Sequence, residues 1–430
     1  MSQKVVAVPP PAPRLFDPAK DAAWLLGWFG MTILMVGAPL LSVVSRRALF
    51  VFLPIGASVL LAAVLITVSK EGVGALREAL RQPIGLVTLF LLGWMGLSIV
   101  WTPFPSVAMP HYAATLVIIG LATLVIALLP ERRARPTLYL LPAGVAVTAA
   151  LVLAMVFLGP PSFRGGSEFD RSLLERSVLT LVVLVWPALG ALGAFHRWMI
   201  AVGLAILVAD VVIVAQAPLA MATFAFGAVA FAATGSEPRR IARLAAAVFS
   251  GLVVVAPLLP FALAPLASTI PMVGRSTVAA MHDWRDLIAG DPLRMITGHG
   301  LDLARYGVYV GFLPSHTPRS ILFEVWYDFG LLGAAAFATV FALAFGAAAN
   351  AATVVAPALI AGLVATLSLA VIGVATAELW FVTLASLQAI AFGLLARSSR
   401  GDRPAAARLG SLPAAVDGGV TSAAKTLPPM

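Results

Sequence analysis

Twelve apolar runs recur along the 430-residue chain, each near the ~20 residues a helix needs to cross a hydrocarbon layer. They lie at approximately 24–45, 48–68, 84–101, 112–129, 137–158, 177–195, 198–214, 218–234, 244–268, 321–347, 353–374 and 376–396. A soluble domain could not bury so much: 61% of residues are hydrophobic and only 11% charged, against about 45–50% and about 25% in ordinary globular proteins. The expected fold is therefore all-α, a polytopic membrane helix bundle of about 12 transmembrane helices. Cysteine is absent, which excludes disulfide scaffolds, thiolate metal sites, iron–sulfur clusters and cysteine nucleophiles.

The basic residues orient the spans. With the N-terminus inside, the cytoplasmic connections and tails carry 18 of the 28 Lys and Arg, including Arg77, Arg81, Arg132, Arg133, Arg197, Arg239, Arg240 and Arg243. Of the ten outside, eight sit in two longer loops, 159–176 and 269–320, leaving Arg46 and Arg47 as the exceptions in short loops. Positive charge near span ends favours the cytoplasmic side, so both termini are expected inside and the large loop between spans nine and ten outside. In such a chain the formal charge of +9 sets topology, and no nucleic-acid partner is implied. Residues 1–22 read as a cytoplasmic tail: Pro9, Pro10, Pro11 and Pro13 occupy it and no apolar core does, unlike a cleavable signal peptide. Residues 397–430, rich in Ala, Gly, Pro and Arg, read as a disordered cytoplasmic end. The domain proper is 23–396, and it contains no repeat of the kind found in transporters.

Polar chemistry concentrates outside. Four of the five histidines, His111, His282, His299 and His316, fall on the outer side, three of them within 269–320. That loop also carries five arginines and four aspartates, too balanced for a generic basic patch. Met281–Ala289 is expected to form an amphipathic helix on the membrane surface with Trp284 at the interface. Arg176 opens the sixth span, where a guanidinium is costly unless it faces a cavity, a counter-ion or an anionic ligand. Arginines at span ends also serve as snorkelling anchors, and Asp210 in the seventh span is either a proton-relay group or near an aqueous end. Gly298-His299-Gly300 reads as a turn. No phosphate-cradling loop, zincin helix, dinucleotide fingerprint or calcium loop is present, and no acidic cluster offers a metal site.

The run from Asp291-Pro292-Leu293 through Gly298-His299-Gly300-Leu301 to Arg305 resembles the entrance to the large periplasmic loop of O-antigen ligases and the related O-antigen polymerases. Pro314–Ser320 followed by Glu324-Val325-Trp326-Tyr327-Asp328-Phe329-Gly330-Leu331-Leu332-Gly333 resembles that family's histidine motif. Leu97–Pro103 is similar to its Trp-Ser/Thr-x-x-Pro element, and Glu175-Arg176-Ser177 leading to Trp186-Pro187 to its Asn-Arg…Trp-Pro element. Anchored on Trp326 and Gly330, the family's histidine position falls on Arg319 and its asparagine on Ser320, with His316 three residues earlier.

The resemblance implies a glycosyltransferase of the bacterial inner membrane. It would move a glycan from undecaprenyl diphosphate to a lipid A-core sugar hydroxyl on the periplasmic face. Neither cofactor nor metal is required, because the donor is already activated. On this reading His316 is the catalytic base. Arg176, Arg275 and Arg319 bind the diphosphate, and Trp284 and Glu324 support the site. Two alternatives stay open: a surface-polysaccharide polymerase, and a transporter or permease without transferase activity.

Overall fold

The computed structural model describes residues 18–66, 70–128, 137–159, 168–235, 237–269, 275–373 and 378–400. Most of the two tails, 160–167 of one long loop and 270–274 of the other lie outside them. The described residues are helical, with no strand. In chain order the helices are α1 (Pro18–Thr32, prolonged by a π-helical turn Ile33–Gly37 and Ala38–Ser42), α2 (Ala48–Leu65), α3 (Lys70–Arg81), α4 (Pro83–Ser98), α5 (Pro105–Leu128) and α6 (Leu140–Leu158). There follow α7 (Glu168–Ala194), α8 (Trp198–Val214), α9 (Pro218–Thr234), α10 (Pro238–Val255, running through a 3-10 turn) and α11 (Leu259–Thr269). The 269–320 loop holds α12 (Arg275–Gly290), α13 (Arg294–Thr297) and α14 (Leu303–Tyr309), and the last described helices are α15 (Ile321–Ala349), α16 (Ala356–Ile372) and α17 (Leu379–Arg400).

Each of the twelve apolar runs is helical over most of its described residues. Among the described residues, eight helices are long and apolar enough to cross a membrane. A ninth arises if α3 and α4, bent by 77° at Gln82-Pro83, count as one span. The remaining three, α8, α9 and α16, are apolar but shorter. The protein is thus an all-helical membrane protein. The bend has a local cause: Pro83 at the first helical position lacks an N–H and holds the preceding residue extended, as Gln82 is at φ −61°, ψ 149°.

The sixth apolar run forms the centre of the bundle. Over Ser172–Ala194, 94% of the most apolar window is buried, and the continuous run Val178–Val185 is fully covered or nearly so. A helix apolar on every side fits only where other helices surround it. Around α7 pack α6, α8, α9, α16 and α17. Trp186 of α7 stacks on Phe224 of α9, and Gly227 supplies the room: a Cβ there would lie 2.4 Å from the indole. The second group that matters for function is α4, α5, α15, α16 and α17, which enclose a cavity.

Candidate functional site

Three distant stretches meet at one end of this second group, and the meeting begins with a break in α15. Gly330 has φ 63° and ψ −158° inside an otherwise helical run, a conformation that only glycine adopts without strain. The break takes the carbonyls before it out of the helical ladder, and each finds another donor. Tyr327 O accepts from His299 N at 2.8 Å and from its Nδ1 at 3.1 Å. Asp328 O accepts from Gly300 N at 3.0 Å. Phe329 O accepts from Trp94 Nε1 at 2.9 Å.

The segment 298–301 is consequently strapped across the break. Its backbone lies so close that a Cβ on Gly298 (φ 76°) would sit 2.2 Å from Asp328 O, and one on Gly300 (φ 107°) 2.7 Å from Thr102. The far edge of the strap is pinned by the α4–α5 turn: Leu301 N donates to Ser98 Oγ at 3.2 Å, and Thr102 Oγ1 donates to Leu301 O at 3.0 Å. The His299 ring stacks on Tyr327 at 4.1 Å. Burial holds the His299 imidazole below its ordinary range, opposed by the Tyr327 carbonyl and Asp291.

The strap delivers Asp302. Its backbone is left-handed, φ 69°, a region aspartate tolerates better than most residues, and its side chain is fully buried. His111 of α5, itself buried, places Nδ1 at 2.7 and 2.8 Å from the two Asp302 oxygens. From the other side Arg305 contacts the same carboxylate, Nε to Oδ1 at 3.2 Å and Nη2 to Oδ2 at 3.4 Å. Burial pushes the Asp302 carboxyl up, but His111 and Arg305 outweigh it and hold it below its usual range. An ionised carboxylate can only accept, so opposite it His111 Nδ1 is the donor. Asp328 completes the arrangement by accepting from Asp302 N at 3.1 Å and Ala304 N at 2.8 Å, so that it caps α14 from another helix.

His111, Glu324 and Asp328 line a cavity of about 380 Å³. Thr115, Thr366 and Ser386 add hydroxyls to its wall, and the rest is mainly apolar side chains from α4, α5, α15 and α17. No group of three or more potential metal ligands occurs among the described residues.

The residues singled out from the sequence do not all come to this place. Glu324 does, buried in the cavity wall. Arg176 does not line it; the guanidinium pairs with Glu378 (Nη2 to Oε2, 2.9 Å) and lies 5.5 Å from the Trp380 ring. It has thus found the counter-ion that was one of its expected solutions, together with an aromatic face. His316 and Arg319 are exposed, make no hydrogen bond or ion pair among the described residues, and are absent from the cavity wall. Arg275 opens α12, and its side chain lies outside the described residues. The amphipathic helix expected over Met281–Ala289 lies within α12, but Trp284 is not at an interface. It is 3% exposed and packs edge-on against Phe323 of α15 at 5.7 Å, because the loop folds back onto the bundle.

His111 and Asp302 are what sequence reasoning missed as a pair. They stand 191 positions apart, and only the fold joins them. The available signal was a histidine immediately before an apolar run. Comparison with known protein families, with curated proteins and with solved structures finds no match.

Proposed function

We propose that the protein is an O-antigen ligase-like glycosyltransferase, moving a glycan from undecaprenyl diphosphate to a lipid A-core sugar hydroxyl. The observation that carries this reading is the convergence described above. Leu97–Pro103, Gly298–Arg305 and Glu324–Gly333, three of the five stretches that bear the family resemblance, are separated by up to some two hundred residues and close one end of one cavity. A mainly apolar wall suits a polyprenyl tail, and polar groups gathered at the cavity suit the sugar end. The donor is already activated, so the reading requires neither nucleotide nor metal.

In this proposal the twelve apolar helices all span the bacterial inner membrane, with both termini cytoplasmic and 159–176 and 269–320 periplasmic. Arg46, one of the two exceptions to the charge pattern, is half-buried. Its guanidinium donates to Ser172, so one of the two basic residues that break the short-loop charge pattern is held by a structural partner.

Glycan profiling of a strain lacking the protein tests the function. The expected result is lipid A-core without polymer, and polymer accumulating on the carrier lipid. A ladder of short chains on lipid A-core would replace the ligase reading by polymerisation. Unchanged surface glycans with altered solute uptake would replace it by transport.

A further inference from the structure

We propose that the base of this reaction is His111, oriented by Asp302, and that Arg305 supports the leaving diphosphate; the proposal rests on the transferase reading above and moves its chemistry out of the exposed 314–320 segment into the cavity. The motif alignment points to residues 316–320. The geometry points elsewhere.

A hydroxyl nucleophile needs a neutral acceptor of its proton, held in one tautomer by a third group. The geometry at His111 supplies the fixed tautomer and the third group. Asp302 accepts from Nδ1 through both oxygens, so the neutral ring carries its lone pair on Nε2. That nitrogen makes no hydrogen bond among the described residues, and the side chain lines the cavity. Asp302 is itself fixed by the Arg305 fork, by its left-handed backbone and by its N–H on Asp328. A histidine kept only for packing in an apolar bundle would have no need of a buried carboxylate anchored in three ways, and burying that carboxylate is costly. Arg305 spends Nε and Nη2 on Asp302, leaves Nη1 without a partner among the described residues, and is 41% exposed. It is not part of the cavity wall, but through Asp302 it stands beside His111, and its exposed side can meet an anion at the end of the cavity that the strap closes.

The step balances without a co-reactant. The acceptor hydroxyl oxygen attacks the anomeric carbon while its proton passes to His111 Nε2. The new carbon–oxygen bond forms as the bond from the anomeric carbon to the diphosphate oxygen breaks. The electron pair leaves with polyprenyl diphosphate, whose added negative charge faces Arg305. His111 then returns the proton to water. Asp302 touches no reacting atom and is a positioning residue.

The test uses membranes of a deletion strain that has accumulated its native carrier-linked glycan, complemented with variants at matched protein level. The readout is the initial rate of glycan transfer to lipid A-core. His111→Gln is the decisive variant, since its amide can still donate to Asp302 but cannot take a proton. The expected loss is about a hundredfold to ten-thousandfold, whereas His316→Ala and Arg319→Ala stay within a fewfold of wild type. Asp302→Asn, which tolerates the same backbone, should lower the rate and shift the ¹⁵N resonances of His111 away from the Nδ1-protonated form, a change that mere loss of packing would not produce. Near-normal transfer by His111→Gln overturns the proposal, as does loss of transfer confined to His316→Ala. If the wild-type protein itself restores no transfer, the transferase reading fails first, and the two failures are thereby told apart.

Discussion

At the scale of single residues, glycines let two backbones touch. Gly298→Ala should be among the most damaging small substitutions in the chain. The backbone at φ 76°, ψ 174° alone costs a side-chain-bearing residue about 1–3 kcal/mol, and its Cβ would meet a backbone carbonyl, which cannot swing aside. A fall in the thermal midpoint of the detergent-solubilised protein checks this; an unchanged midpoint would show that the strap can lift at little cost. His299 makes a pH prediction. Its folded-state pKa lies below the ordinary 6.5, so the neutral ring contributes stability that is fully present above about pH 6.5 and is lost as pH falls through the depressed value. The thermal midpoint should drop on acidification from pH 7 to pH 5. His299→Phe, which keeps a ring to stack on Tyr327, should flatten that drop. Asp302 also loses its contribution on acidification, but only below its ordinary 3.8, well outside that window.

At the scale of elements, the break in α15 explains why a loop as polar as 291–305 docks on an apolar bundle at all. A continuous helix would offer it no acceptors, whereas the break at Gly330 offers the carbonyls of Tyr327, Asp328 and Phe329. Trp94→Phe removes the donor to Phe329 and strands that carbonyl, for an expected cost of about 1–3 kcal/mol. Chemical denaturation in micelles would measure it, and a cost near zero would mean that another donor takes over. Helix positions were legible in the sequence because a span must be apolar along its whole length: the runs at 198–214 and 218–234 coincide with α8 and α9. The break was not legible, since Asp328-Phe329-Gly330 looks like any glycine in a long apolar run. Gly298-His299-Gly300 was read as a turn, and its positive φ angles agree, but the glycines answer to the close approach of Asp328 and Thr102.

At the scale of the whole molecule, the site is partly legible and partly not, for one physical reason. Motifs contiguous in sequence, such as Glu324–Gly333, announce themselves. A dyad such as His111–Asp302 exists only once α5 and the strap are packed together. Trp284 shows the converse: an amphipathic pattern specifies an apolar face, while folding decides whether lipid or Phe323 covers it. The charge pattern predicts that 269–320 faces the periplasm. Cysteines placed singly at Ser276 and Ser315 in this cysteine-free chain should react with an impermeant maleimide once the outer membrane is opened. Protection until lysis would invert the topology and remove the site from its substrates. The most direct measurement of the central claim is transfer by the purified protein. In liposomes containing carrier-linked glycan and lipid A-core extracted from the deletion strain, with chelator present and nucleotide absent, the account predicts that glycan appears on lipid A-core while undecaprenyl diphosphate is released in equal amount. Glycan that stays on its carrier in the presence of folded protein would contradict it.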